Sequence, residues 1–179
     1  MTNLDLRSVN EQACSLLHTA ACDYAAARCC LLNGLLSGFQ LASQAVEKLI
    51  KASILFHEPT VNIRTEYGHD LPSLLKGLET VLNHSIDPKH HQTVDKLLLH
   101  YKSRYPDNPD RAMSASSDEL DGIDELCFFL TSQLFVPSEL KYRVGILARV
   151  CRDEPYPPDH YWITQDNNFF KKIPKKTSP

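Results

Sequence analysis

The stretch from Phe39 to Phe56 is apolar around most of a helical circumference. Gln44, Glu47, Lys48 and Lys51, at positions i, i+3, i+4 and i+7, form a polar seam on one narrow face, and Ala42, Ala45, Val46, Leu49, Ile50 and Ile54 cover most of the remainder. A helix of this kind is stable only when other elements enclose it, so the rest of the chain has to supply several packing partners. The seam itself has two readings. It is either the helix's one strip of contact with water or the lining of a recessed polar site. As structure, Glu47 and Lys51 form an i, i+4 ion pair of about 0.2–0.5 kcal/mol. As a site, the same groups offer mixed charge to a phosphate and a base.

The flanking sequence supplies those partners as further helices. Ala13, Leu16, Leu17, Ala20, Tyr24, Ala27 and Leu31 keep a helical period, which predicts a first helix over 10–33 that ends at the left-handed-tolerant pair Asn33-Gly34. Ser37 stands where it can cap the seam helix, 38–57, and 58–68 reads as a loop begun by Pro59. Asp70 as N-cap, Pro72 in the first turn and the stripe Leu71, Leu74, Leu75, Leu78, Leu82 predict a third helix over 71–83. Pro88 opens a fourth, with Val94, Leu97, Leu98 and Tyr101 on one face, which breaks before Pro106. Asp118 opens a fifth through Ile123, Cys127, Leu130 and Leu134, and Pro137-Ser138 restarts the chain into a sixth over 138–151. Beyond Pro155 the periodicity ends. Prolines and the basic Lys171, Lys172, Lys175 and Lys176 predict an extended arm, docked by Tyr161, Trp162, Phe169 and Phe170. No segment alternates with the two-residue period of a strand. The expected architecture is all-α, an antiparallel, up-and-down bundle of about five to six helices in all, with the bundle proper over 1–136 and a C-terminal helix and a Pro-rich, basic tail over 137–179.

A chain of 179 residues fits one domain with a substantial core, and a net charge of −3 offers no broad basic surface to nucleic acid. No apolar run reaches the roughly 18–20 residues of a membrane span, and the start lacks the pattern of a signal peptide, so a cytoplasmic protein without a membrane partner is expected. Cys14, Cys22, Cys29, Cys30, Cys127 and Cys151 lie among apolar or small neighbours without the paired spacing of a zinc site, and read as reduced packing thiols. Asp87, His91 and Asp95 repeat along one helix beside His84 and His90, which reads as a solvated face and no metal centre. With six glycines there is neither a Walker-type phosphate loop nor a Rossmann fingerprint, and no cofactor is expected.

Three blocks, in order, carry a family resemblance: Ala42 to Ala52 (ASQAVEKLIKA), Gly68-His69-Asp70-Leu71 ahead of a leucine helix, and Ser103-Arg104-Tyr105-Pro106-Asp107 after the next. Together they resemble the HEPN domain (higher eukaryotes and prokaryotes nucleotide-binding) over about residues 12–136. The resemblance implies a bundle of four or five helices that often forms a homodimer. Some HEPN proteins are metal-independent ribonucleases, marked by an Arg, four to six residues, then a His, late in the bundle. Others lack that motif and bind a nucleotide or a partner, frequently a nucleotidyltransferase in a toxin–antitoxin-like pair.

The arginines and histidines bear on that choice. Arg64 to His69 has the ribonuclease spacing but lies between the second and third helices, where His69, just before the Asp70 cap, also reads as a residue packed on the first turn or hydrogen-bonded to a neighbouring helix. His100 and Arg104 share a face of the fourth helix in the reverse order. A ribonuclease would use His100 as base for the 2′-hydroxyl and Arg104 as the cation for the phosphate. The structural alternative leaves His100 half exposed and sets Arg104 at the helix end against Glu47 or Asp70. Neither Arg104 nor Arg111 has a His at the family distance downstream. The resulting expectation is a non-catalytic binding module for a nucleotide or RNA, with Gln44, Glu47, Lys51, Asp70, Arg104 and Tyr105 as ligand-binding residues. The alternative is an atypical ribonuclease acting through Arg64, His69, His100 and Arg104.

Overall fold

In the computed structural model, residues 6–103, 116–134 and 161–170 are described. They form α1 (Leu6–Leu32), α2 (Gly38–His57), α3 (Ile63–Glu66), α4 (Leu71–Leu82), α5 (Pro88–Ser103), α6 (Ser117–Ser132) and α7 (Tyr161–Thr164). No strand occurs among them, and the architecture is an all-α helical bundle. Among the described residues no helix is long and apolar enough to cross a membrane.

The apolar circumference of α2 decides its position. Thirteen of its 20 residues are buried, from Gly38 to Leu55, and it packs against α1, α4, α5 and α6. The core joins Leu17, Ala20 and Tyr24 of α1 to Val46, Leu49 and Ile50 of α2, Leu74 and Leu78 of α4, Val94 and Leu97 of α5, and Ile123 and Leu130 of α6. The interface of α1 with α2 is the most extensive. Gly34 makes the reversal between them possible, because its φ of +74° is a left-handed conformation that side chains with a Cβ disfavour. Gly38 makes their close approach possible. A Cβ there would lie 2.6 Å from Leu31 Cγ and 2.8 Å from the Ala27 carbonyl oxygen.

Local chemistry fixes the other ends. Asp70 accepts from the Ser73 amide at 3.1 Å and starts α4, which Asn83 ends in the left-handed region at φ 54°. The expected span of 71–83 for this helix therefore ends at its cap. α1 begins at Leu6, earlier than residue 10, and the segment 58–68 is not all loop: Asn62 caps the single turn of α3. Ser37 makes no side-chain cap bond, because its backbone is already helical at φ −57°. α6 starts at Ser117, one residue before Asp118. Ser116 and Glu119 form a reciprocal capping box there, with Ser116 Oγ accepting from the Glu119 amide and the Glu119 carboxylate accepting from the Ser116 amide. The expected arm is a helical turn followed by a bend, with Ile163, Asn167 and Phe170 buried. The helix expected over 138–151 and the lysines from Lys171 to Lys176 lie outside the described residues.

Gly38→Ala tests the closeness of α1 and α2. In an open helix the exchange would stabilise by up to about 1 kcal/mol, whereas overpacking against the Ala27 backbone should cost about 1–3 kcal/mol. A urea midpoint that is unchanged or raised would show that the helices do not approach this closely.

Candidate functional site

The seam of α2 divides between structure and an open cluster. Lys48 reaches across to Asp23 of α1 and ties the two helices together. Lys51, almost buried, places Nζ 2.7 Å from Glu47 Oε1. The same oxygen lies 2.9 Å from His69 Nδ1, from the turn before α4. Glu47 is recessed while the His69 side chain is 86% exposed, so a buried cation, a recessed carboxylate and a projecting imidazole form one graded cluster. With Nδ1 donating to Glu47, the lone pair of a neutral His69 sits on Nε2. Gln44 is exposed one turn earlier on α2, and Asp70 is committed to capping α4.

Three residues named from sequence, Glu47, Lys51 and His69, are thus brought together. Arg104 and Tyr105 lie outside the described residues, and so does the expected ion pair of Glu47 with Arg104. Arg64 is in α3, with its side chain outside the description.

His100 is a correction: it is buried, not half exposed. Its ring stacks on Phe39 with centroids 3.5 Å apart and planes 3° from parallel, and Nε2 lies 3.0 Å from Glu119 Oε1. Burial alone would raise the Glu119 carboxyl. The His100 hydrogen bond and the Ser116 amide outweigh it and hold the group below the ordinary carboxylate range. His100 therefore fastens α5 to the start of α6. Beside it, Phe39, Lys96, Glu119 and Gly122 help to line a cleft of about 20 Å³, enough for a water molecule.

No protein-family model, no curated protein and no solved structure matches this chain. The chemistry of the chain rests on its own geometry.

The most elaborate polar cluster is one that sequence reasoning missed. Arg28, Asp124, Tyr24 and Asn167 are all fully buried. Arg28 Nη1 donates to Asp124 Oδ2 at 2.5 Å, and Tyr24 Oη donates to Asp124 Oδ1 at 2.5 Å. Asn167 Nδ2 in turn donates to Tyr24 Oη at 2.9 Å. Arg28 also donates through Nε to the Trp162 carbonyl at 2.8 Å and through Nη2 to the Gln165 carbonyl. Burial pushes the Asp124 carboxyl up to about 6 against the opposing pull of Arg28, and pushes the Tyr24 hydroxyl and the Cys127 thiol well above their ordinary values. A thiol held protonated and enclosed is no nucleophile, and a carboxylate whose acceptors are met by Arg28 and Tyr24 offers no vacant position to a substrate. This hub is structural. Its signal in the sequence was the presence of Tyr24, Arg28 and Asp124 on faces whose other members are apolar.

Among the described residues no three His, Cys, Asp or Glu side chains are arranged to hold a metal ion. His91 of the Asp87, His91, Asp95 stripe instead meets Glu79 Oε1 at 3.1 Å. The amide of Ile86 and then His91 hold the Glu79 carboxyl below its ordinary value.

The raised Asp124 group makes stability depend on pH. Its value is 3.8 in an ordinary setting and about 6 here, so the folded state binds the proton more tightly. That contribution is fully present below about pH 4 and is lost as the pH rises through about 6. Relative to Asp124→Asn, the wild-type unfolding free energy should fall on the order of 2–3 kcal/mol between pH 4 and pH 7. Urea denaturation of both proteins across that range measures the difference, and a flat difference would contradict the assignment. Arg28→Met should cost about 3–5 kcal/mol at pH 7, since it strands the buried carboxylate.

Proposed function

We propose that this chain is a non-catalytic, HEPN-type binding module whose ligand face is the cluster of Glu47, Lys51 and His69, with Gln44 beside it. The observation that carries the reading is the double use of Glu47 Oε1, which receives Lys51 at 2.7 Å and His69 at 2.9 Å. It joins two of the sequence blocks on which the family resemblance rests. The cluster combines donors and acceptors at graded depth, a combination suited to a nucleotide: Lys51 for phosphate oxygens, Gln44 and His69 for a base or ribose. A homodimer, and a nucleotidyltransferase partner in a toxin–antitoxin-like pair, belong to the same proposal through the family resemblance.

A ribonuclease is the second reading. It is favoured by His69 alone, whose Nδ1 is oriented by a carboxylate while the side chain projects into solvent, as a general base would require. His100 supports it less, because its Nε2 is engaged by Glu119 and its ring by Phe39.

Titration calorimetry with ATP, GTP and a short single-stranded RNA tests the binding reading. At least one of them should bind, and Lys51→Met, which keeps the packed stem but removes the charge, should weaken it about tenfold or more, equivalent to about 1.4 kcal/mol. Binding of none, or equal binding by the variant, would remove the cluster as the ligand face. For the second reading, RNA cleavage without metal should not differ between wild type and His69→Ala. Cleavage that vanishes in the variant would replace the binding module with the ribonuclease.

A further inference from the structure

The histidines of this fold differ in which ring nitrogen is engaged. His91 and His100 turn Nε2 onto the carboxylates of Glu79 and Glu119. His57 and His84 set Nδ1 against the backbone carbonyl oxygens of Ser53 and Leu82. Among the described residues only His69 sets Nδ1 on a carboxylate, 2.9 Å from Glu47 Oε1, and leaves Nε2 without a hydrogen-bond partner. Its side chain is 86% exposed, whereas that of Glu47 is recessed at 19%. The turn that carries His69 is fixed on both sides. Tyr67 lies over Gly77 of α4, where a Cβ would come within 2.3 Å of the Tyr67 ring, and Asp70 caps α4. The imidazole is therefore held by one nitrogen and offers the other to solvent.

An imidazole held in this way is a nucleophile of defined direction. Neutral histidine carries its lone pair on the nitrogen without a proton, and the bond from Nδ1–H to Glu47 makes that nitrogen Nε2. When Nε2 forms a new bond the ring becomes cationic, and the Glu47 carboxylate already stands on the Nδ1 side to offset that charge. Lys51 Nζ, 2.7 Å from the same carboxylate oxygen, gives the cluster an ammonium that favours an anionic electrophile. The leaving group of that electrophile has to depart without a proton, because Lys51 is engaged by Glu47 and the His69 ring stands in solvent. Acyl phosphates meet this condition. Their leaving group is a carboxylate, and an ordinary carboxyl pKa of about 4 lets it depart as the anion.

We propose that His69 is a phosphoryl-acceptor site, modified at Nε2 by small acyl phosphates. The Nε2 lone pair attacks phosphorus and an N–P bond forms. The P–O bond to the acyl group breaks, and its electron pair leaves on the carboxylate. The Nδ1 proton stays on the ring, shared with Glu47, so the step moves no proton and changes no oxidation state. A phosphoryl group, with about −1.5 to −2 charge on a modified side chain, then stands beside Glu47 and repels other anions. It therefore opposes nucleotide at this face, a consequence that rests on the nucleotide reading given above, whereas the modification itself does not.

The test incubates the full-length protein with acetyl phosphate, without nucleotide, and follows the product by intact mass and phosphorus NMR. One phosphoryl group per chain should appear on Nε2 of His69, stable in alkali and lost in acid as an N–P bond requires. His69→Gln should remove it, and because that side chain projects into solvent the core is left intact. Glu47→Gln keeps an acceptor for Nδ1 but removes the charge, and should slow labelling about tenfold or more. His18→Gln alters an exposed histidine of α1 that has no ring partner among the described residues, and should label at the wild-type rate. An unlabelled wild type, labelling that persists in His69→Gln, or an undiminished rate in Glu47→Gln would each overturn the proposal. Since no nucleotide is present, the result is independent of the calorimetry that tests the ligand face.

Discussion

The ion pair between Arg28 and Asp124 is the contact on which the relative placement of α1, α6 and the C-terminal segment depends. A guanidinium and a carboxylate without solvent access tolerate few arrangements. The carboxylate must be met on both oxygens, and here Arg28 takes one and Tyr24 the other. The guanidinium must spend its remaining hydrogens, and two go to carbonyl oxygens of residues 162 and 165. The pair joins α1 directly to α6. A buried ion pair is weak evidence for stability, because desolvation opposes the attraction, although removing one partner alone strands the other charge.

Helix α2 provides the other half of the frame. Its apolar surface is spent on four neighbouring helices, so its few polar groups have fixed environments even though their side chains are long. Lys48 is used against α1, and Glu47 gathers Lys51 and His69 toward the α3–α4 junction. Histidine–glutamate pairs recur at the junctions: His69 with Glu47, His91 with Glu79, His100 with Glu119. Each joins a different pair of segments. They differ in exposure, from the buried His100 to the projecting His69, and that difference separates a fastening from a group able to meet a ligand.

Much of the bundle was legible because its signals are local. The stripes of α2, α4, α5 and α6 repeat with the helical period, and Asp70 and Pro72 state where α4 begins. The errors were also local. Ser37 has the chemistry of a cap, but the chain enters α2 through a turn that is already helical. Asp118 resembles a helix start, but the Ser-x-x-Glu pattern of Ser116 and Glu119 is the capping box that sets it. Glu47 and Lys51 were readable as a pair because four residues separate them. That the seam lies near His69 and Asp70 follows from α2 facing its neighbours in a bundle, whereas the direct contact of His69 with Glu47 is a matter of packing.

Local signals alone establish that the chain is helical, which helix is enclosed, and that a charged seam runs along α2. Periodicity and capping are properties of neighbouring residues, and no tertiary knowledge is needed to read them. What the polar groups do depends on how distant helices pack. That packing buries His100 against Phe39, leaves His69 projecting, and draws Arg28, Asp124 and Asn167 from three distant segments into one hub. Their partners lie 96 to 143 residues apart along the chain. Charge and hydrogen bonding act through space, so the role of such a residue is set by the packing of the helices that carry it.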